Sequence, residues 1–398
     1  MLDRVRDRRN SEEQFLSAPT NAVIARQALQ GLLDALVAQG YRTIGPTLRD
    51  RAIVYDDVTH VSEFPAGWSD RQDAGRYEIQ RRDDDAWFGF NVGPHSWKRF
   101  LRPPLELLWT AHRHDDGFEV TPAALPGLKQ AFIGVRACEL HAIAIQDRVF
   151  FGGRYPDDTY RARRMNSLIV AVNCVQGGGT CFCHSMGTGP KATLGFDLSL
   201  TELLGADRAT FLVEVGSDVG ARLLDTVSSR APSAAELAAA QAVLARATAQ
   251  MGRRLDTTRL QELLREVPGH PRWDGLAARC LSCGNCTMVC PTCFCSAVED
   301  HSSLDGTTAE QLRVWDSCFT LDFSYLHGGS ARHSTGARYR QWMTHKLSYW
   351  FDQFGSSGCV GCGRCITWCP AGIDITAEAT ALRAAPPAPN KVGAHART

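Results

Sequence analysis

Cys280-Leu-Ser-Cys283-Gly-Asn-Cys286-Thr-Met-Val-Cys290-Pro291 is matched in spacing by Cys359-Val-Gly-Cys362-Gly-Arg-Cys365-Ile-Thr-Trp-Cys369-Pro370. Each run has three cysteines separated by two residues, then a fourth after three more, then a proline. Three thiolates so spaced can wrap one inorganic cluster corner by corner. The fourth falls on the following turn and points away, and the proline discourages the wrapping loop from continuing. In bacterial two-cluster sites of this kind the fourth cysteine ligates the other cluster. The spacing therefore predicts one [4Fe–4S] cluster on Cys280, Cys283, Cys286 and Cys369, and a second on Cys359, Cys362, Cys365 and Cys290. Zinc sites also use CxxC pairs, but two complete runs favour clusters.

The stretch between the runs is too long for a minimal two-cluster domain. Within it Arg338–Phe354 reads as a helix, so the second half is expected to be a larger, α-helical ferredoxin-type domain. Arg338, Arg340, His345 and Lys346 on that helix are expected to form a solvated face rather than to neighbour a cluster. Three further cysteines lie nearby. Cys293 and Cys295 follow the first run directly, and Cys318 sits in Trp315-Asp-Ser-Cys318-Phe. They suit a redox disulfide, a sulfur-binding site or an additional metal site with His301 or His333. Buried small residues are the plainer alternative. Cys293 and Cys295 are poorly placed to bridge each other, because side chains so spaced diverge.

Upstream, Ala131-Phe-Ile-Gly-Val135 runs into Cys138 and a helical segment, Leu140–Phe151. Ser167-Leu-Ile-Val-Ala-Val172 ends at Cys174 and the loop Gly177-Gly-Gly179. Strand, helix, strand with near-continuous apolar runs predicts a parallel sheet buried on both faces. Sites in such sheets collect at the carboxyl ends of the strands. Cys138, Cys174, Cys181 and Cys183 follow those ends and form a candidate set for a third [4Fe–4S] cluster, with zinc or buried free thiols as alternatives. Glycines in the loop would let backbone approach a cluster closely. His141 and His184 are candidate donors to cluster sulfur, though an ordinary core or surface histidine is commoner.

The rest of the chain is compositionally ordinary: 398 residues, 43 Lys+Arg against 43 Asp+Glu, and 44% hydrophobic. Zero formal charge argues against nucleic acid as main partner. No apolar stretch approaches a membrane span of about 20 residues, and the N-terminus lacks a signal-like apolar region, so a cytoplasmic location is expected. Fifteen cysteines in a reduced compartment point to metal or redox chemistry rather than a disulfide framework. Residues 22–39 read as a helix; Ala52–Tyr55, Tyr77–Arg81, Ala86–Val92 and Thr210–Val215 read as strands. Trp68, Trp87, Trp97 and Trp109 read as structural. The Ala-rich stretch 233–266 reads as a helical connector. The expected organisation is a mixed α/β domain over 1–230, a helical connector over 231–270, a helical two-cluster domain over 271–383 and a disordered tail over 384–398. No P-loop, dinucleotide fingerprint or GxSxG is present, and no catalytic residue is assigned.

These residues together carry a resemblance. CLSCGNCTMVCPTCFC at 280–295, Trp315-Asp-Ser-Cys318 and CVGCGRCITWCP at 359–370 resemble the beta subunit of sulfhydrogenase-type, NAD(P)-linked [NiFe] hydrogenases. One iron–sulfur component of anaerobic sulfite reductase is similar. IGPT at 44–47, Gly93-Pro-His-Ser-Trp-Lys98, GVRACELHAI at 134–143 and TCFCHSMGTGP at 180–190 extend the likeness over nearly the whole chain. Glu139 departs from the aspartate expected there. The resemblance implies an electron-relay subunit with no catalytic centre of its own. Its partners would be the [NiFe] hydrogenase large and small subunits, together with a flavin subunit that meets NAD(P). The alternatives are the same relay in a sulfite or sulfur reductase, or direct polysulfide or disulfide reduction at Cys293, Cys295 and Cys318.

Overall fold

The computed structural model describes residues 21–205 and 208–384. The expected signal-free N-terminus and nearly all of the expected tail lie outside these residues. In chain order the strands of the first half are β1 (Asn21–Ala25), β2 (Arg42–Arg49), β3 (Ala52–Asp57), the hairpin β4 (Trp68–Asp73) and β5 (Arg76–Arg81), then β6 (Leu105–His114) and β7 (Gly117–Pro122). They continue with β8 (Gln130–Val135), β9 (Ser167–Val172), β10 (Leu198–Leu204) and β11 (Ala209–Val215). The second half adds β12 (Ser296–Ser302) and β13 (Thr308–Trp315).

Seven strands form the main sheet, in the order β1-β11-β10-β9-β8-β2-β3. Its centre is parallel, with β8 on β9 pairing Ala131 with Leu168, as the two apolar runs predict. Antiparallel strands close both sides. Side chains alternate between faces. Ile133, Leu168, Val170 and Leu200 pack with Leu29, Leu32, Leu33 and Leu36 of the helix Ala28–Ala38. Phe132, Ile169 and Ala171 pack the other way with Leu140 and Ile143 of the helix Ala137–Phe151. The fold is thus mixed α and β, with a largely helical region carrying the two cysteine runs.

Several local expectations are corrected. The helix placed at 22–39 begins only at Ala28, because Val23 and Ile24 are β-branched and pair as an edge strand with β11. Ala86–Val92 is not a strand. Phe88, Phe90 and Val92 are buried, but their backbone is satisfied by buried charged side chains. Glu202 accepts from Trp87 N and Phe88 N, and Arg136 donates to Phe88 O and Phe90 O at 2.9 Å each. Of the four tryptophans only Trp97 is fully buried, stacked on Tyr55 at 4.1 Å.

Residues 233–266 are not one helix. Ala234–Ala249 lies on the sheet, with Ala240 against Val23, Leu203 and Leu212. An extended stretch follows, and Leu260–Glu266 joins the second core through Leu260 and Leu264. The β12–β13 hairpin has too polar an alternation to be legible alone. It joins β6 and β7 in a four-stranded sheet, β12-β13-β6-β7, that ties the two halves of the chain together. Among the described residues no helix is long and apolar enough to cross a membrane.

Candidate iron–sulfur centres

Both cysteine runs fold alike. Gly284 and Gly363 take left-handed backbone (φ of 70° and 76°) and each starts a one-turn helix, Asn285–Met288 and Arg364–Thr367. The two turns lie side by side, with Asn285 Nδ2 donating to Trp368 O. This pairing crosses the fourth cysteines over. Burial raises the Cys286 thiol well above its ordinary range, and Cys280, Cys369, Cys283 and Cys290 raise it further. Burial raises Cys365 likewise, and Cys359, Cys362, Cys290 and Cys286 raise it further. Cys369 thus neighbours the first run, while Cys290 neighbours the second run and Cys286 as well. Cys280, Cys283, Cys286 and Cys369 line a shared cavity closed by Phe319 and Tyr339.

Backbone N–H groups aim at the sulfurs: Ser282 N at Cys280, Gly361 N at Cys359 and Ile373 N at Cys369, each at 3.4 Å. Such donors favour the thiolate and tune a cluster's potential. Cys283 is exposed, so the first group reaches the surface.

The third set also converges. Cys138 lies in the first turn of its helix, Cys174 follows β9, and Cys181 and Cys183 flank buried Phe182. Burial pushes Cys181 up to about 12, and Cys174 and Cys362 add to the rise. Cys138 is raised well above its ordinary value by burial, then by Cys183 and Cys362. Four thiols, three buried and Cys174 half-buried, suit iron, whose positive charge would offset the cost of ionising them together. The backbone is tailored to them. A Cβ on Gly178 would come within 2.9 Å of Cys181 Sγ, and one on Gly189 within 2.9 Å of Cys183 Sγ. Residues after the Ala-rich helix wall the set, with Gly252 N donating to Gly178 O and Arg253 N to Cys181 O. That stretch is more than a connector. His184 is exposed and His141 half-buried. Among the described residues no group of three or more His, Cys, Asp or Glu is placed to hold a single metal ion.

The second and third sets adjoin. Phe182 N donates to Gly361 O at 2.8 Å, and Cys181 Sγ lies 3.8 Å from Cys362 O. A Cβ on Gly363 would sit 2.4 Å from Thr180 O, so the contact requires glycine. The order in space is third set, second set, first set.

Two side chains between the halves had no sequence signal beyond their position. Arg364, between Cys362 and Cys365, is wholly buried and donates to Glu139 Oε1 at 2.6 Å, Gly93 O at 2.9 Å and His95 O at 2.7 Å. Lys346 lies in a π turn, His345–Tyr349, that interrupts the expected helix. It is buried rather than solvated, and donates to Cys290 Sγ at 3.2 Å and Thr292 Oγ1 at 3.0 Å. Burial opposes its charge, but Cys290, Cys293 and Cys359 hold its pKa well above the ordinary lysine value. Arg338 is buried too and donates to Ser282 Oγ in the first run. The solvated-face expectation therefore fails for Arg338 and Lys346, which are buried, while Arg340 and His345 are half-buried.

Lys346→Met should lower the midpoint potential of the second centre, because a buried cation stabilises its more negative reduced state. Unit charges about 5 Å apart interact by ~3 kcal/mol at an effective dielectric of about 20, on the order of 100 mV for one electron. Potentiometric titration followed by electron paramagnetic resonance checks this, and an unchanged potential would refute the role.

Comparison with known proteins agrees with the geometry. A family profile described as a 4Fe-4S dicluster domain matches residues 279–373, the span of both runs. The chain is 32% identical over 335 residues to Sulfhydrogenase 2 subunit beta of Pyrococcus furiosus, covering 82% of this chain and 91% of that protein. No solved structure matches. The chain is therefore an iron–sulfur protein of the 4Fe-4S dicluster class, suited to electron transfer. Within that class it belongs to the family of sulfhydrogenase beta subunits.

Proposed function

We propose that the three thiol sets hold three [4Fe–4S] clusters and that the chain relays electrons between a flavin subunit that meets NAD(P) and a [NiFe] hydrogenase module. Cys280, Cys283, Cys286 and Cys369 would hold the first cluster, and Cys359, Cys362, Cys365 and Cys290 the second. Cys138, Cys174, Cys181 and Cys183 would hold the third. The observation that carries the reading is the row itself: three four-cysteine sets, two of them sharing a glycine-lined backbone contact. When bound, such clusters supply one-electron transfer with little geometric change. The chain's own residues do the rest. Backbone N–H groups and Lys346 tune the centres, Arg364 clamps the second run to the first half, and the exposed Cys283 marks where electrons cross to a partner. No acid, base or nucleophile is needed for this task.

Purification of the native complex tests the proposal, with iron, sulfide and subunits determined together. About twelve irons per chain, with nickel–iron and flavin subunits alongside, is the expected result. About eight irons would remove the third cluster. A sirohaem-type partner in place of the nickel–iron one would assign the relay to sulfite reduction.

A further inference from the structure

Cys295 immediately precedes β12, and Cys318 lies just past β13. The ladder between these strands continues one step beyond them, with Asp316 N donating to Cys295 O at 3.0 Å. The turn after Asp316 then brings the two side chains together: both the Cys318 thiol and its backbone N–H donate to the Cys295 sulfur. The bond from Cys318, with Lys346 and Lys98 nearby and burial opposing, brings Cys295 down to about 7. Lys98 lies over the Trp315 ring at 3.9 Å, and Arg102 donates to Cys295 O at 3.4 Å. Cys295 and Cys318 are both partly exposed, whereas Cys293 is buried and bonded to Cys290.

We propose that Cys295 and Cys318 are a redox-active dithiol that reduces low-molecular-weight disulfides. The Cys295 thiolate attacks one sulfur of the disulfide, forming a mixed disulfide and expelling a thiolate. Cys318 passes its proton to that leaving thiolate and attacks the Cys295 sulfur, which expels the second thiolate. One S–S bond in the substrate breaks and one forms in the protein, so the dithiol loses two electrons and the substrate gains them. The inference rests on the proposed function in one respect: with Cys286 and Cys290 serving as ligands, Cys295 and Cys318 remain to pair with each other.

The test uses the full cluster-loaded chain, held without oxygen, treated with oxidised glutathione, quenched with N-ethylmaleimide and mapped by mass spectrometry. A Cys295–Cys318 crosslinked peptide in most chains, reversed by dithiothreitol with iron content unchanged, is expected. C318S should instead trap glutathione on Cys295, C295S should do neither, and C293S should keep the crosslink. Separately alkylated Cys295 and Cys318, or either one joined to a different cysteine, overturns the proposal without touching the cluster assignment. A loss of about four irons from untreated C295S or C318S would make the pair ligands and overturn both. The wild-type crosslink needs no variant to fold.

Discussion

Cys369→Ser is expected to remove about four of the chain's irons while leaving the second run's centre intact, although Cys369 belongs to that run in sequence. The reason is the side-by-side packing of the turns Asn285–Met288 and Arg364–Thr367, which places Cys369 among Cys280, Cys283 and Cys286. Cys290→Ser should do the reverse. The two losses are told apart through Lys346, which donates to Cys290. The potential shift caused by Lys346→Met should persist in a Cys369→Ser background and vanish in a Cys290→Ser background. Persistence in both would show that Cys290 does not belong to the centre that Lys346 tunes. Loss of the first centre also takes away the group that reaches the surface at Cys283. Reduction of an external partner should then fall to background, while the remaining centres stay reducible by a small-molecule donor.

Glu139→Gln is expected to destabilise the protein by about 3–5 kcal/mol, because it leaves the Arg364 guanidinium buried without its counter-charge. Both side chains are essentially inaccessible, at 1% and 0% exposure. Glu139 is also a hub: its other oxygen accepts from Tyr55 Oη at 2.7 Å and Trp97 Nε1 at 3.1 Å. Arg364 keeps its bonds to Gly93 O and His95 O in the variant, which favours the lower end of the range. Replacing both partners, as in Glu139→Leu with Arg364→Met, should recover much of the loss, since an apolar pair carries no desolvation penalty. Anaerobic urea unfolding, followed by circular dichroism, reads all of these. A Glu139→Gln midpoint matching wild type would refute the clamp. Glu139→Asp should fall between, because the shorter side chain cannot reach Arg364, Tyr55 and Trp97 together. The departure from aspartate at this position thus has a structural account.

Much of the architecture was legible because it is written in local patterns. Near-continuous apolar runs declare Ala131–Val135 and Ser167–Val172 as neighbouring buried strands, and the structure pairs them in parallel. The misreadings share a cause. Val23–Ile24 and Phe88–Phe90 have clear apolar patterns, but whether such a run becomes strand, helix or neither depends on what its backbone meets. The first meets the edge of β11; the second meets Glu202 and Arg136, which come from distant positions. Lys346 was misplaced for the same kind of reason. Helical periodicity predicts a face, but the π turn at His345–Tyr349 breaks that periodicity where Lys346 sits.

The sequence by itself determined the cluster chemistry, because ligand spacing is a short-range property: three thiolates within seven residues can reach one cluster whatever surrounds them. It also drew together Cys138, Cys174, Cys181 and Cys183 through the rule that sites gather at strand ends. Only the tertiary structure decided how the sets are arranged. It packed the second run against the Cys181–Cys183 loop, drew Lys346 into the thiols, joined Glu139 to Arg364, and left Cys295 facing Cys318. Each of these contacts joins residues separated in the chain, and at Lys346 and at Glu139 with Arg364 burial excludes water and lets a single charge or hydrogen bond govern its neighbours.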